Sequence, residues 1–549
     1  MFKKHLNLRP VTFFGTRIVS AVLLLSMLLS FGVAVQGNAE AQENQDCGKP
    51  RTVVLHDPEL DDLNTLSRYL LYSNDFDTQG LVYQSSGVHW KGDGQGTVFT
   101  GESEHSRFGI TDPLTSWRWN ADESFIEDTV EVYAEVYAKL SVHAEGYPDP
   151  EDLRSKIYVG NVAFPGDISE DSAGSDLIKS LLLDDNSCPV WLLTGAGQST
   201  IGRALLSIAE EYQGTDEWSA IYEKVSDKAI ISSFGDQDGV YADYIGSNWP
   251  DIEFRQMSTQ IWGYGARSAV LPGDEQYLSA AWIRENVSEV GPFGAIYRVW
   301  GDGKQMVAGD ISDHFGFSGL NTEQLRALGY VVWTAPQEQG SWISEGDTSM
   351  WMDLLDNGLR GDEDPTWGGW GGRVGEDINP DTNAVDANYD SARWFGTAQR
   401  DFAARLQWSV TPEYADANHN PVVEVLSPES TTVHPGEVVT LTARATDPDG
   451  DHLVGHWWQY EEAGTYPGAV LAAEEQASWF GQAFAYPAQV VPGDPAIADV
   501  IEDEIEVTTQ FTVPTDVVDG QTLHFIIEVT DNGSPNLTSY QRVVLTIER

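Results

Sequence analysis

The stretch VVLHDPELDDLNTLSRYLLYS, residues 53–73, carries the main signal for both the fold and the chemistry of this chain. A short apolar run opens it, which is typical of a buried strand. Leucines at helical spacing close it, at Leu63, Leu66 and Leu70, and they predict an amphipathic helix. The stretch therefore predicts a strand followed directly by a helix, with a polar loop between them.

That loop is acidic, with four carboxylates at Asp57, Glu59, Asp61 and Asp62. Carboxylates this close repel one another, so either solvent screens them or a cation holds them together. The field of a helix N-terminus contributes only about 0.3–1 kcal/mol for each charge, too little for a buried group of them. A calcium-type ion takes about six to eight oxygen ligands and lowers the pKa of its bound water. We predict a cation site, with a solvated helix start as the alternative.

Strand and helix patterns alternate from residue 51 to about residue 334. The strand candidates are VVLHD, GLVYQSS, KIYVGN, PVWLLTG, KAIISSFG and GYVVWTA, and helical segments such as SDLIKSLLLDD and STIGRALLSIAEEY lie between them. This alternation predicts an α/β domain with a mostly parallel, doubly wound sheet. Ligands bind beyond the carboxyl ends of such strands. Four polar loops are expected to converge there: HDPELDD, YQSSGVHW, LTGAGQST and FGDQDG.

The rest of the chain divides into two segments with different sequence patterns. Residues 338–420 are rich in Gly, Trp and Asp, and we expect loops and a helix, SARWFGTAQRDFAARLQWS, packed onto the first domain. Residues 421–549 alternate apolar and polar positions between turn clusters, which predicts an all-β, immunoglobulin-like sandwich. The expected domains are therefore residues 47–420 and residues 421–549.

Charge and the N-terminus limit the partners and the location. With 85 acidic against 31 basic residues in 549, the net charge is −54, which argues against a nucleic-acid partner. A basic start precedes the uncharged residues 18–39, which contain AVLLLSMLLS. Residues 1–41 are therefore predicted to be a signal peptide, with a secreted or periplasmic location and no membrane contact after cleavage. An uncleaved membrane anchor is the alternative.

Two cysteines are present, Cys47 and Cys188, and each lies just before a predicted strand. If those strands are parallel neighbours, both cysteines lie at the same edge of the sheet. We expect a disulfide in an oxidising compartment, with two free thiols as the alternative.

The acidic loop also resembles a known motif. HDPELDD is similar to the signature of nucleoside hydrolases, Asp-x-Asp-Pro-Gly-x-Asp-Asp, whose calcium-bound water cleaves an N-glycosidic bond. The resemblance makes Asp57 the metal-binding general base, Asp61 the ligand of sugar hydroxyls and Asp62 a second metal ligand. Leu55 and Glu59 stand where the signature has Asp and Gly, so the pocket differs from that of a standard nucleoside hydrolase.

Longer motifs resemble the cellulose-binding family in which a nucleoside hydrolase-like domain is joined to a C-terminal sandwich. They include HWKGDGQGT, FGDQDGVYADYI, GPFGAIYRVWGDGKQM and DPTWGGWGGR, and the similarity covers nearly the whole chain after the signal peptide. TGAGQST departs from the family's Trp-Gly-Gly-x-Asn-Thr loop. The resemblance implies a carbonyl metal ligand near Ser199 and a distal metal ligand at Asp347, with Asp310 and Asp313 as rivals. An Asp in a turn beside glycine is commonly a helix cap, which is the alternative for Asp347.

Other polar residues extend the predicted substrate site. His89 follows a strand and is a candidate general acid, and Trp90 beside it could stack on a sugar ring; simple packing is the alternative for both. Gln237 and Asp238 are candidates for contacts with sugar hydroxyls, although a turn explains them almost as well. Asn64, in the helix that follows the acidic loop, is also assigned to the substrate.

Trp367 and Trp370 lie among glycines in DPTWGGWGGR. Glycines let a ligand approach the backbone, and indole faces suit sugar rings, so both are candidate substrate contacts. The alternative is a loop held by two buried indoles. The acidic turn DPDGD, residues 447–451, is a second possible calcium site. A turn between two strands needs no ion to form, and we favour the plain turn.

No G-x-S-x-G, H-E-x-x-H, Walker loop or paired C-x-x-C is present, so serine hydrolase, zinc protease and nucleotide phosphate chemistry lack support. The leading hypothesis is a secreted, Ca²⁺-dependent glycosyl hydrolase, in which Asp57 deprotonates a metal-bound water that attacks an anomeric carbon. Its expected partner is a carbohydrate or glycoside, with cellulose among the candidates. The alternatives are a non-catalytic cellulose- or polysaccharide-binding protein and a nucleoside N-ribohydrolase.

Overall fold

The computed structural model of the protein describes most of the chain after residue 46. The described residues are 47–57, 59–98, 114–117, 124–257, 259–304, 315–316, 319–328, 332, 334–375, 377–380, 382–471 and 504–549. The predicted signal peptide, most of the predicted strand GYVVWTA, and the rival ligands Asp310 and Asp313 lie outside them. Residues 47–549 form one compact unit.

Six parallel strands form the central sheet. They are Arg51–His56 (β1), Asp77–Tyr83 (β2), Ile157–Val159 (β3), Val190–Thr194 (β4), Ala229–Ser233 (β5) and Glu253–Gln256 (β6). Their spatial order is β3-β2-β1-β4-β5-β6, and every neighbouring pair is parallel. The chain winds outward in both directions from β1 and β4, so the order reverses between these two strands. This is the position where doubly wound sheets bind ligands.

Helices cover both faces of the sheet. In the described residues they are Leu60–Leu71 (α1), Phe125–His143 (α2), Pro150–Ser155 (α3), Ala173–Leu183 (α4), Ser199–Tyr212 (α5), Trp218–Lys228 (α6), Gly246–Asn248 (α7), Ala280–Ile283 (α8), Gly291–Ile296 (α9), Thr322–Ala327 (α10), Tyr389–Ala392 (α11) and Phe395–Val410 (α12). Short 3₁₀ or π turns are Ser73–Asp75, Tyr241–Ile245, Ala266–Ser268, Glu275–Leu278, Arg284–Ser288, Gly346–Met350, Met352–Leu354, Tyr414–Asp416 and Glu461–Ala463.

Alternate residues of β1 point to opposite faces of the sheet. Val54 packs with the leucines of α1 and with α2 and α12, whereas Val53 and Leu55 pack with α4, α5 and α6. All six residues of β1 are buried, as expected of a central strand covered on both faces. Leu66 and Leu70 of α1 are fully buried in the first of these cores, and Leu63 packs at its edge, which confirms the predicted stripe.

Residues 338–420 pack onto the α/β domain. Trp342, Trp351 and Trp370 join the same core as α1, and so does Phe402 of α12. A short hairpin, Ile378–Asn379 (β7) with Ala384–Val385 (β8), lies within this segment.

The C-terminal part is a β-sandwich. Its strands are Val422–Val425 (β9), Ser430–Val433 (β10), Val438–Thr446 (β11), Val454–Gln459 (β12), Glu504–Thr512 (β13), Thr522–Thr530 (β14) and Thr538–Ile547 (β15). One sheet has the order β10-β15-β14-β12 and the other β13-β11-β9. The pairs are antiparallel except for β10 with β15. The predicted fold class, a doubly wound α/β sheet followed by an all-β sandwich, is confirmed.

One strand of the sheet was not predicted. Strand β6, with the sequence EFRQ, lies at the sheet edge and carries two charged residues, Glu253 and Arg255, which pair with each other at 2.6 Å. A four-residue charged segment lacks the apolar pattern of a strand, and edge strands commonly carry charges.

Two further features are the disulfide and the search for membrane-spanning helices. Cys47 and Cys188, which precede the neighbouring strands β1 and β4, are joined by a disulfide with their Cα atoms 5.6 Å apart. Within the described residues, no helix combines the length and the apolar character needed to cross a membrane.

Candidate functional site

Carboxylates collect at the carboxyl edge of the sheet, where the strand order reverses. Leu55 of β1 is in register with Thr194 at the end of β4, so the residues that follow both strands emerge side by side. Asp57 follows β1, and Gly195 follows β4. The site is therefore built on the two central strands of the sheet.

Asp57 is the group with the fewest partners in this site. Its side chain is 1% exposed, and neither carboxylate oxygen accepts a hydrogen bond of normal geometry from the residues described. The backbone N–H of Asp57 donates to Asp62 Oδ1 at 3.1 Å, and His56 Nδ1 lies 3.3 Å from the same oxygen. The first turn of α1 thus folds back onto the end of β1, and the Asp57 carboxylate is left for a ligand.

Asp347 reaches the same point from a distant segment. A Cβ added at Gly195 would lie 1.7 Å from Asp347 Cγ, so the carboxylate occupies the space above this glycine. Asp347 is 4% exposed, and its Oδ2 has no hydrogen-bond partner in the described part of the chain. The missing side chain of Gly195 is therefore what admits Asp347 to the site.

Asp61 connects the helix to the segment that carries Asp347. Its Oδ2 accepts hydrogen bonds from Ser344 Oγ at 2.8 Å and from the backbone N–H of Gly346 at 3.2 Å. Tyr264 Oη lies 3.4 Å from its Oδ1. These contacts hold residues 344–347 against the start of α1.

Burial raises the pKa of all four aspartates, and mutual repulsion adds to it. Burial and the charge of Glu59 raise the pKa of Asp57 well above its usual range and that of Asp61 to about 8. Burial and the charge of Asp61 raise the pKa of Asp347 to about 8, while burial and the charge of Asp347 raise the pKa of Asp62. A bound dication would reverse these shifts, because it favours the ionised carboxylates.

The donor set fits a divalent cation. The ligand atoms of His56, Asp62 and Asp347 lie within 4.8 Å of one another, and those of Glu59, Asp61 and Asp62 do so as well. No lysine or arginine among the described residues forms an ion pair with the four aspartates. Burial lowers the pKa of His56 to about 3, so its ring is neutral and adds no compensating charge. Buried polar atoms are normally paired, so carboxylate oxygens without a partner in the protein are available to coordinate a cation.

Several predicted site residues make structural contacts. Asn64 donates to the carbonyls of Arg298 and Ser344, both at 3.0 Å, and its Oδ1 accepts from the backbone N–H of Arg298 at 2.7 Å. Its amide therefore positions backbone. Ser199 is the first residue of α5, and its hydroxyl donates to the carboxylate of Asp238, so the predicted carbonyl ligand near Ser199 stays a prediction. The loop residue that contacts the acidic cluster is Gly195.

Gln237 and Asp238 shape the loops around the site. Asp238 Oδ2 accepts the backbone N–H groups of Gln198 and Ser199 at 2.8 and 2.9 Å, which satisfies the start of α5. The side chain of Gln237 donates to the Gly195 carbonyl. Their predicted contacts with sugar stay predictions, because these polar atoms already have partners within the protein.

The aromatic candidates are mostly buried. Trp90 is 1% exposed and packs against Trp117, with ring centroids 6.2 Å apart. Trp370 is 2% exposed and lies in the main core. Trp367 is half-buried, with the guanidinium of Arg360 5.0 Å from its ring centroid. None of these three indoles presents an open face at the carboxylate cluster, and their predicted stacking on sugar stays a prediction.

Two side chains at the site were given no individual role from the sequence. His56 was taken as part of a strand, and Glu59 was counted among the clustered carboxylates but was named neither as a metal ligand nor as a substrate contact. Glu59 Oε2 lies 3.3 Å from His89 Nδ1, and Tyr264 donates to Glu59 Oε1 at 3.0 Å. His56 directly precedes Asp57 and Glu59 follows it by two positions, and this closeness in sequence could have indicated that both lie at the site.

An acidic centre at the reversal point of a doubly wound sheet defines a nucleoside hydrolase-like domain. The chain belongs to the family described as cellulose-binding Sde182, nucleoside hydrolase-like domain, whose model matches residues 51–374. A second family model, cellulose-binding protein Sde0182, C-terminal domain, matches residues 438–547. These matches confirm the resemblance found in the sequence.

Solved structures with a similar fold include one that matches most of this chain. It is a nucleoside hydrolase-related hypothetical protein from Saccharophagus degradans that is associated with carbohydrate metabolism. The two chains are 21% identical, with a TM-score of 0.60 over 91% of this chain and 100% of that chain. At this identity the similarity shows the fold alone. No curated protein matches this chain.

Proposed function

We propose that the protein is a secreted or periplasmic, divalent cation-dependent hydrolase of glycosyl bonds that acts on a glycoside or a polysaccharide-derived substrate. The single observation that carries the proposal is the buried Asp57 carboxylate, whose two oxygens have no partner among the described residues and which lies beside Asp62 and Asp347.

Asp57, Asp62 and Asp347 are the proposed cation ligands. Carboxylate oxygens are preferred by hard cations, so Ca²⁺ is the proposed ion. When bound, such an ion neutralises the clustered carboxylates and lowers the pKa of a coordinated water. Gly195 supports this ligand set, because its missing side chain leaves room for the Asp347 carboxylate.

The protein's own residues then have distinct roles. Asp57 accepts a proton on its free carboxylate oxygen, as a general base does. Asp61 is held by Ser344 and Gly346 with one oxygen turned toward Tyr264, so it is placed to accept hydrogen bonds from sugar hydroxyls. His89, 3.8 Å from Asp57 Oδ1, is placed to donate a proton to a leaving group.

Replacing Asp57 with Asn tests this proposal. The substitution preserves shape but removes the proton acceptor, so turnover should fall by roughly 10²–10⁴-fold. Release of reducing sugar from glycosides and of base from inosine or uridine would be measured, with and without chelator. Glu217→Gln is the matched control, because Glu217 is exposed and is not one of the proposed site residues. Activity that survives both the chelator and Asp57→Asn would exclude the proposed mechanism.

A cellulose-binding protein without turnover is the second candidate, and one observation favours it. Both family models that match the chain are described as cellulose-binding. A cellulose pull-down that persists with chelator and with Asp57→Asn, in the absence of any product, would favour this function. Base release from inosine without turnover of any glycoside would instead indicate a nucleoside N-ribohydrolase.

A further inference from the structure

A second group of metal-ligating atoms lies beside the proposed cation ligands. Asp57, Glu59 and His89 each offer one ligand atom, and these atoms lie within 4.8 Å of one another. The group shares only Asp57 with the proposed ligands Asp57, Asp62 and Asp347. It also contains an imidazole, which the proposed ligand set lacks.

We propose that Asp57, Glu59 and His89 form a second divalent cation site, with Asp57 bridging to the first. One imidazole with carboxylates is a donor set for a first-row transition ion such as Zn²⁺ or Mn²⁺ rather than for Ca²⁺ alone. The inference goes beyond the proposed function, because it concerns the number and kind of bound ions and holds whether or not the protein turns over a substrate.

The Asp57 carboxylate is the independent observation that points to a ligand. It is buried to 1% exposure, and neither oxygen accepts a hydrogen bond of normal geometry from the described residues. The Ser86 side chain lies close enough to lower the pKa of Asp57 by hydrogen bonding, but its geometry falls short of a normal hydrogen bond, and burial raises the pKa by more. A carboxylate with two oxygens unpaired in the protein can give one oxygen to each of two ions. Asp57 and His89 then act as ligands, and their roles as general base and general acid apply to the protein with only the first ion bound.

The distances within the group suit a small cation. His89 Nδ1 lies 3.3 Å from Glu59 Oε2 and 3.8 Å from Asp57 Oδ1. Two ligands of a tetrahedral ion at about 2.0–2.1 Å from it are themselves roughly 3.3–3.4 Å apart. The atoms therefore need to move little to share an ion.

Charge supports two ions rather than one. Asp57, Asp61, Asp62 and Asp347 carry four negative charges when ionised, and Glu59 beside them carries a fifth. Among the described residues only histidines pair with the four aspartates. One dication leaves three of the five charges uncompensated in a largely buried site, which is costly. Two dications leave one, and Glu59 is partly exposed to solvent.

Neighbouring groups already hold the second site in place. Tyr264 donates to Glu59 Oε1 at 3.0 Å, which orients that carboxylate. Ser86 fixes the loop that carries His89: its Oγ accepts from the His89 backbone N–H at 3.1 Å, and its own N–H donates to the His89 carbonyl at 2.7 Å. Outer contacts of this kind commonly accompany metal ligands.

Equilibrium dialysis of the full chain against Mn²⁺, followed by metal analysis, tests the proposal. Wild type should bind two ions per chain, and Glu59→Gln should bind one. Glu59 is 21% exposed in its side chain and caps no helix N–H, so the substitution should leave the fold intact. His89→Gln is the second variant and should also bind one ion, while the exposed Glu217→Gln should still bind two.

Competition separates the two sites. Excess Ca²⁺ should displace one Mn²⁺ from wild type and should displace the single remaining ion from Glu59→Gln. Wild type that binds one Mn²⁺, with Glu59→Gln binding it equally well, would overturn the second site and leave the first intact. Wild type that binds no ion would overturn both sites.

Discussion

At the residue scale, the cation site depends on one absent side chain as much as on the carboxylates. Asp347 fits only because residue 195 is glycine, whose added Cβ would lie 1.7 Å from Asp347 Cγ. Asp61 has a similar neighbour, since a Cβ at Gly346 would lie 2.6 Å from Asp61 Oδ2. The glycines thus determine which carboxylates can converge.

Gly195→Ala should weaken cation binding without removing a ligand. The new methyl group must displace the buried Asp347 carboxylate, and disturbing the support of a metal ligand typically costs about 10–100-fold in affinity. Calcium titration by calorimetry would measure it. Gly263→Ala is the matched control, because its Cβ would meet nothing closer than 3.4 Å. Equal affinity of the Gly195→Ala variant and wild type would show that Asp347 is not a ligand.

At the element scale, helix α1 holds the segment that carries Asp347. Arg68 in α1 pairs with Glu345 at 2.5 Å and 3.0 Å, and both side chains are fully buried. Thr65 and Thr348 contact each other at 3.2 Å on the same face. Because α1 also carries Asp61 and Asp62, one helix determines how all the proposed ligands meet.

Removing one partner of this buried pair should be strongly destabilising. Arg68→Met leaves the Glu345 carboxylate buried without its partner, so the free energy of unfolding should fall by about 3–5 kcal/mol. The double variant Arg68→Met with Glu345→Gln should recover part of that loss. Urea unfolding followed by tryptophan fluorescence would measure both variants.

The exposed pair Arg154 and Glu131 provides the control. Arg154→Met should change stability far less, because water screens a surface ion pair. An Arg68→Met variant as stable as Arg154→Met would show that the buried pair does not hold the segment.

At the scale of the whole molecule, the acidic site links stability to pH and to the cation. Burial raises the pKa of Asp61 and Asp347 to about 8, and the pKa of Asp57 and Asp62 is raised as well. In the unfolded chain an aspartate has a pKa of about 3.9. The folded protein without cation therefore binds more protons than the unfolded chain between these values.

Without cation, the free energy of unfolding should fall as the pH rises from about 4 through about 8, because the native state holds protons that the unfolded chain has released. Saturating Ca²⁺ should remove the decrease in the free energy of unfolding that comes from these aspartates, since carboxylates bind the ion in their ionised form. Thermal unfolding with EDTA and with Ca²⁺, compared at each pH, would measure the difference. Other buried acids, such as Asp353 with a pKa of about 7, affect both curves equally. Curves that stay parallel across this range would contradict the linkage.

Much of this architecture could be predicted from local patterns. The strand and helix of residues 53–73, the alternation that follows and the sandwich all carry the periodicity of their elements, and the structure has them. Strand β6 could not be predicted, because three of its four residues are polar and its place is given only by pairing with β5. The pairing of Glu59 with His89 could not be predicted, because the approach of the two side chains depends on two separate loops.

The sequence by itself determined the order of strands and helices and the place of Asp57 at the end of the first strand, since both follow from hydrophobic period and chain direction. Only the tertiary structure decided that Asp347 meets Asp57 and Asp62, that Asn64 and Asp238 bind backbone, and that Trp370 is buried. The physical reason is that contacts between residues nearly 300 positions apart depend on helix packing and on space left by glycines. Neither the helix packing nor the space left by glycines can be predicted from a local sequence pattern.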